Sequence, residues 1–479
     1  MLKTIIIREF FNNVLNLRFT VGLVLCAIIT VSCVIILTND YKQETDDYNL
    51  RVHLQDEFLD KYAHTNRISG MINPQKPPER FRPLIIGLPK DADLGSFDDN
   101  PLPMLFPPLD FLFIITILMS LLAILFSYDS ITGERQIGTL RLVISNSVPR
   151  AKILVAKWIG GTSSLLIPFI FSLLAGAIYI SINPVVQWDT SAWMEFCLLT
   201  AASVTFISLF YLLGLMVSTF SRYSSTSILN CLFLWVLLIL VIPNMCPVVS
   251  AQLYRIPSVN KIQSQIYYLT QVERDDLGRQ FSREVRKEFE DKYGNVFSEF
   301  YSIYDNREAV QQRASTDPKF KTMVEAYRKQ NDQAWNKANQ IQKGKADKLE
   351  KDLYTKVAIQ NKIAKNLACI SPFANFVYLA TDLTGTGLRS LSHFERVAGE
   401  YENKFNLYFW KKAQDAREKN PTFNENSLLD IRGRPRFVFK EEPLKDKVNA
   451  ILPYWGILFL FNIVFLWIAF IRFARYDVR

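Results

Sequence analysis

Histidine is scarce in this chain, and the usual motifs of enzyme chemistry are missing. Of 479 residues only His53, His64 and His393 are histidine, and they form no ligand-spaced cluster with cysteine or acid. No HExxH, GxSxG or paired Cys/His set occurs, which argues against hydrolytic and metal-centred catalysis. The six cysteines (Cys26, Cys33, Cys197, Cys231, Cys246 and Cys369) include no CxxC pair. They supply no disulfide framework, although a single Cys246–Cys369 bridge stays open. Gly133-x-x-x-x-Gly138-Thr139 has the outline of a phosphate loop but lacks the lysine that would reach the phosphates, and no strand pattern precedes it. The chain therefore carries no nucleotide site of its own, and no cofactor is expected on it. No basic patch interleaved with stacking aromatics stands out, so nucleic acid is not an expected partner. The first apolar run begins at residue 19 and has no small-residue cleavage site after it, so it reads as an uncleaved span.

Charge is also absent, and in a telling pattern. Hydrophobic residues make up 49% of the sequence, with 35 Phe. Uncharged runs occupy 19–38, 111–127, 158–182, 196–220, 227–249 and 451–471, each long enough to approach or cross roughly 30 Å of hydrocarbon. A charge at the centre of such a run costs about 2.5–3.5 kcal/mol on insertion scales, so its absence is a physical constraint. The expected fold is an α-helical polytopic membrane protein with six transmembrane helices and a large, mostly helical extracytoplasmic domain. Lys3, Arg8, Arg18, the 128–157 segment, Arg222 and the C-terminal Arg472, Arg475 and Arg479 all fall on one side of six spans. The positive-inside rule makes that side cytoplasmic and puts both termini there. Because none of the six runs holds an ionisable residue, an ion-coupled relay is not expected, and energy for any transport should arrive from another subunit.

The segments between the runs divide the chain further. Residues 1–16 read as an amphipathic interfacial helix or, alternatively, as an extension of the first span at 17–38. Residues 39–109 form an outer segment whose first part, to Tyr62, is charged and helical. Its second part holds nine of the 21 prolines, which favours extended chain. Phe81, Leu84, Ile85, Ile86 and Leu88 suggest a strap packed along the larger outer domain rather than a bare spacer. Residues 110–249 hold spans two to five, 250–450 the helical outer domain, and 451–479 the sixth span and tail. In the outer domain Leu277, Phe281, Val285, Phe289 and Tyr293 make one helical stripe, and Phe320, Met323, Val324, Tyr327, Trp335, Ala338 and Ile341 another. Both read as core, with breaks at Gly294, Pro318 and Gly344. Ser371-Pro372 and Gly385-Thr-Gly387 bracket an apolar helix too short to span. That helix lies either at the outer membrane face or buried in the outer domain.

The most specific stretch is the polar turn between the second and third runs. Asp129, Glu134, Arg135 and Arg141 offer charge-assisted contacts to a cytoplasmic partner, and Gly133 and Gly138 allow tight turning or close approach. The bland alternative is an ordinary basic loop. The sequence from Ser127 through Tyr-Asp-Ser-Ile-Thr-Gly-Glu-Arg-Gln-Ile-Gly-Thr-Leu-Arg to Leu142, with Val148-Pro-Arg-Ala-Lys-Ile-Leu-Val-Ala-Lys157, resembles the signature of six-span ABC-type exporter permeases. Lys76-Pro-Pro before the second span, and Ser371-Pro-Phe with Gly385-Thr-Gly387 before the last, are similar to the bacterial branch with two large extracytoplasmic insertions. That resemblance implies a coupling helix at 128–142, with Glu134, Arg135, Gly138 and Thr139 at the interface to a cytoplasmic ABC ATPase that holds ATP and Mg. It also implies a second permease chain and a place in the bacterial inner membrane, in contact with lipid. A subunit that passes ATP-driven motion to periplasmic proteins without moving cargo is the alternative.

Overall fold

The computed structural model describes residues 2–63, 72–87, 109–140, 142, 149–186, 188–420, 423 and 427–475. Its regular elements are helices. Six are long and apolar enough to cross a membrane: Leu17–Lys61, Phe111–Ile137, Arg150–Ile182, Thr190–Phe220, Ser224–Leu253 and Leu444–Ala474. These are the first to sixth spans. The other helices are α1 (Leu2–Val14), α2 (Thr132–Ile137, the end of the second span's stretch), α3 (Val259–Tyr267), α4 (Arg274–Tyr293), α5 (Asn295–Ser302), α6 (Arg307–Thr316), α7 (Pro318–Ala368), α8 (Pro372–Thr384) and α9 (Leu388–Lys419). The chain divides into two compact units: residues 1–244 with 368–479, and residues 245–367. That division falls inside the stretch read from sequence as one outer domain, 250–450.

In the first unit the fourth span is the most buried of the six and the fifth the least. Without a hydrophobic drive in lipid, helices associate through close packing and interhelical hydrogen bonds, and the fourth span supplies both. A Cβ on Gly161 would lie 1.9 Å from the Tyr211 hydroxyl, and one on Gly214 would lie 2.0 Å from Ser127 Oγ, so glycine is required for those approaches. Trp158 Nε1 donates to Ser208 Oγ at 2.9 Å, Ser208 Oγ donates to Asn462 Oδ1 at 3.0 Å, and Asn462 Nδ2 donates to the Thr205 carbonyl at 3.1 Å. This chain of polar contacts ties the third, fourth and sixth spans together.

Three sequence expectations change here. The short helix α8 takes neither of its two expected places. It is capped by Ser371, with Pro372 in its first turn and Gly385 at φ +74° closing it, but it packs among the spans. Phe376 lies 4.8 Å from Phe206 of the fourth span, Tyr378 lies 5.7 Å from Tyr454 of the sixth, and Ser371 Oγ donates to the Leu238 carbonyl of the fifth at 2.5 Å. Next, the strap buries Phe81, Leu84 and Ile85 in the core of the span bundle, with Phe81 against Trp188. Leu88 lies outside the described residues. Finally, buried charge adjoins the uncharged runs, which themselves hold none. The helices run on past the uncharged runs, so Lys157, Glu195 and Lys447 lie within the third, fourth and sixth, all buried. Counting uncharged residues stops at the first charge, whereas a helix continues wherever that charge finds a partner. Cys26, Cys33, Cys197 and Cys231 are free thiols.

The end of the bundle that carries the strap is held by ions. Arg80 bridges Asp189 Oδ1 at 2.7 Å and Glu441 Oε2 at 3.0 Å, and Lys447 Nζ meets Glu195 Oε1 at 2.9 Å and Glu441 Oε2 at 3.3 Å. Beyond it, the first span's helix continues to Tyr62 and packs Leu59 on Phe405, Phe409 and Ala413 of α9, while Arg434 pairs with Asp56 and Asp60.

Asp110 joins the strap to the second span. Its Oδ1 accepts from Phe113 N at 2.9 Å as the N-cap, and its Oδ2 accepts from Ile86 N at 3.2 Å. Burial pushes this carboxyl up to about 6, against the lowering by those N–H donors. A carboxyl raised in the folded state binds a proton there that the unfolded chain has released. Between about pH 4 and 6 its contribution therefore falls as pH rises, and above that it costs roughly 3 kcal/mol. Asp110→Asn keeps a capping oxygen and removes the titration. Thermal midpoints of the two proteins, measured from pH 4.5 to 7.5, should diverge in the variant's favour as pH rises. Parallel curves would contradict this; a constant offset from the lost Ile86 bond would not.

The unit at 245–367 is built around aromatic packing. α4, α5, α6 and the start of α7 enclose Phe289, Phe297, Phe300, Val310, Phe320, Met323, Val324 and Tyr327. Gly294, at φ +51°, turns the chain between α4 and α5, and Asp317 Oδ1 accepts from Lys319 N at the start of α7. Gly344 is not a break: α7 runs through it for 51 residues, since one glycine costs only about 1 kcal/mol in a helix.

Candidate coupling site

The polar turn after the second span is folded back onto the bundle. Ser218 Oγ of the fourth span accepts from Ile131 N and Thr132 N at 3.1 Å each, satisfying donors at the start of α2. Ser227 Oγ donates to the Tyr128 carbonyl at 2.7 Å, and Ser224 Oγ donates to Gln136 Oε1 at 2.9 Å. The turn is thereby fixed to the end of the fourth span and the start of the fifth.

The charged residues singled out from sequence are engaged within the chain. Asp129 pairs with Arg18 at 3.0 Å, and that guanidinium also reaches the Leu125 carbonyl and the Tyr128 hydroxyl. Glu134 Oε1 meets Lys157 Nζ at 2.8 Å, and the same ammonium meets Glu9 of α1 at 3.0 Å. Arg135 Nη1 donates to the Ser221 carbonyl at 2.8 Å. These side chains set the position of the turn: Asp129 holds it to the first span, and Glu134 and Arg135 hold α2 to the third and fourth spans. Gly138 closes α2 at φ +83°, a left-handed conformation that favours glycine. Gly133 has ordinary room and needs no special approach. Thr139 Oγ1 donates to the Glu134 carbonyl at 3.3 Å. Arg141 lies outside the described residues.

α1 belongs to the same assembly. It ends at Val14, and Asn16 caps a separate first span, so it is not an extension of that span. A Cβ on Gly160 would lie 2.8 Å from the Ile6 carbonyl, which shows how closely α1 lies on the third span. At the same end Arg150 donates to the carbonyls of Phe473 and Ala474 at the close of the sixth span. The segments read as one basic side of the membrane thus meet at one end of the bundle.

Sequence reasoning missed Ile137. It is 79% exposed at the end of α2, beside exposed Gln136 and Gly138. Its place between Gln136 and Gly138 was the available signal, while Ile131 and Leu140 of the same turn are buried. Lys157 was also passed over, as the last residue before an uncharged run, yet it is the hub that joins Glu9 to Glu134. The arrangement is a rigidly held short helix with an apolar tip, suited to docking rather than to catalysis. Among the described residues no cluster of His, Cys, Asp or Glu could hold a metal ion.

A search of curated proteins finds no match to this sequence. The family model described as ABC-2 family transporter protein matches residues 3–478.

Proposed function

We propose, from the premise that the chain belongs to the ABC-2 family of transporter membrane proteins, that it is the permease subunit of a bacterial ATP-driven exporter. Membrane subunits of this family lack an ATPase domain and work with a separate ATPase. In our reading that ATPase docks on 128–142 and carries ATP and Mg, and closure of two ATPases drives two permease chains. The end bearing α1, α2 and the close of the sixth span faces the cytoplasm of the inner membrane, and the strap end faces outward. The observation that carries this reading is α2 itself. Both charged side chains of α2 are tied to the bundle, so a push on its tip reaches the third and fourth spans, and α1 through Lys157. Ile137 is the residue offered to the partner, while Glu134 and Arg135 position it.

The test is co-purification of the tagged chain with the ABC ATPase expressed alongside it. Ile137→Asp should weaken association at least thirtyfold, the scale of an apolar anchor lost from an interface, about 2 kcal/mol. The isolated chain should keep its unfolding midpoint. Unchanged association would refute docking through this tip.

The length of α7 favours one alternative. Its 51 residues make a rod of about 77 Å at 1.5 Å per residue, a shape suited to passing motion to periplasmic proteins. Cargo that stimulates ATP hydrolysis would decide for export. Periplasmic proteins retained on purification, without such stimulation, would decide for force transmission.

A further inference from the structure

The sequence has no Asp or Glu between Glu195 and Glu273, and none between Asp352 and Asp382. These two acid-free stretches supply the two strands of chain at the base of the 245–367 unit. The fifth span, Ser224–Leu253, has 30 residues and so extends about 45 Å. That length matches the hydrocarbon core plus its headgroup layers. Leu253 thus ends at headgroup depth, with Met245, Val248 and Leu253 exposing apolar side chains on the final turns. The chain then passes through Tyr254 and Arg255 into α3. Gln360 Nε2 of α7 donates to the Tyr254 carbonyl at 2.8 Å, which brings the lower part of α7 to the same level.

Arg255, Lys261 and Lys362 are exposed at this base, and no ion pair forms on any of them among the described residues. Lys356, one turn above Gln360, pairs with Asp352 at the edge of the acid-free stretch. Farther out acids such as Asp317, Glu325, Asp332 and Asp347 are interleaved with the cations, and some form ion pairs, as in Arg286–Glu290, Arg313–Glu299 and Lys345–Glu273. Cations set in acid-free chain where the fifth span ends, with a tyrosine beside them, match the chemistry of a phospholipid phosphate.

We propose that Arg255, Lys261 and Lys362 form a collar that binds anionic lipid headgroups where the fifth span leaves the membrane. The occupant is a membrane phospholipid: its acyl chains lie along the exposed apolar turns of the span, and its phosphate meets the three cations. The collar is independent of the transport reading, since it needs only the span and its charges.

The test uses the full chain in detergent, with native mass spectrometry during titration with short-chain phosphatidylglycerol. Each cation near a membrane surface is worth about fivefold. Arg255→Gln/Lys261→Gln/Lys362→Gln should therefore weaken phosphatidylglycerol binding on the order of 100-fold, with little change for phosphatidylcholine. Lys319→Gln/Lys321→Gln/Lys329→Gln makes the same charge change at exposed positions far along α7 and should bind as the unmodified chain does. Retained binding in the collar variant would overturn the proposal. An equal loss in the control variant would also overturn it, since net charge alone would then explain the effect. Glycerol 3-phosphate, a headgroup without acyl chains, should bind at least 100-fold more weakly than the lipid. Equal binding would make this a soluble-anion site and overturn the assignment to lipid.

Discussion

Lys157→Met should destabilise the folded chain by about 3–5 kcal/mol, the usual cost of removing one partner from a buried ion pair. The lysine side chain is 3% exposed and lies between Glu9 Oε1 and Glu134 Oε1. Without it two carboxylates face each other across a partly closed junction, each having lost its charge partner. The effect should reach α1 and α2 together, because one ammonium holds both. Heat or denaturant unfolding of the purified chain measures the loss. Adding Glu9→Gln and Glu134→Gln to Lys157→Met should recover most of it, since neutral amides leave no buried charge uncompensated. If the single substitution lies within about 1 kcal/mol of the unmodified chain, the junction is not the electrostatic lock described above. Coupling gives a second readout. The triple variant should fold yet transmit less of the partner's ATPase cycle, because α2 is then tied to the third span only by weaker neutral contacts.

A comparable loss is expected at the opposite end of the bundle. Lys447 and Glu195 are each 3% exposed and 2.9 Å apart. Lys447→Met strands the Glu195 carboxylate in the interior, and about 3–5 kcal/mol should be lost. Glu195→Met made together with Lys447→Met removes both charges from the same apolar surroundings, and such replacements are often neutral or stabilising by 1–4 kcal/mol. The double variant should therefore be markedly more stable than the single. A double variant as unstable as the single would mean that Lys447 acts mainly through Glu441, its second partner at 3.3 Å. The comparison also separates folding from function. A pair whose removal costs no stability, but which changes transport, would be there to fix the strap end in one arrangement.

Much of this architecture is readable from local pattern. Six long uncharged runs appear as six helices because backbone polar groups in lipid must be satisfied within the segment, and that requirement acts on each run separately. The caps of α8 were legible for the same reason: Ser371, Pro372 and Gly385 act over three or four residues. The aromatic stripes of α4 and α7 were legible because a 3.6-residue period follows from helix geometry alone. Gly344 misled because a glycine limits helix propensity but does not forbid helix, and the good helix formers beside it (Gln342, Lys343, Lys345 and Ala346) offset its cost.

The candidate site was legible by place and not by role. Asp129, Glu134 and Arg135 stand out as charges in a turn, but a sequence does not say which charge meets which. Their partners Arg18, Lys157 and the Ser221 carbonyl come from the first, third and fourth spans, far away along the chain. Ile137 was hidden for the complementary reason: whether an apolar side chain is covered depends on everything else in the fold.

The sequence by itself determined that the chain crosses a membrane six times and that one polar turn is set apart from the rest. Hydrophobic run length, helical period and capping chemistry are local quantities, and neighbouring residues settle them. Only the tertiary structure decided that α8 enters the bundle, that the proline strap covers the span ends, and that Lys157, Glu195 and Lys447 are tolerated inside helices. Each of these depends on a partner distant in sequence. Burial of a charge or a short apolar helix becomes favourable only when that partner is already in place.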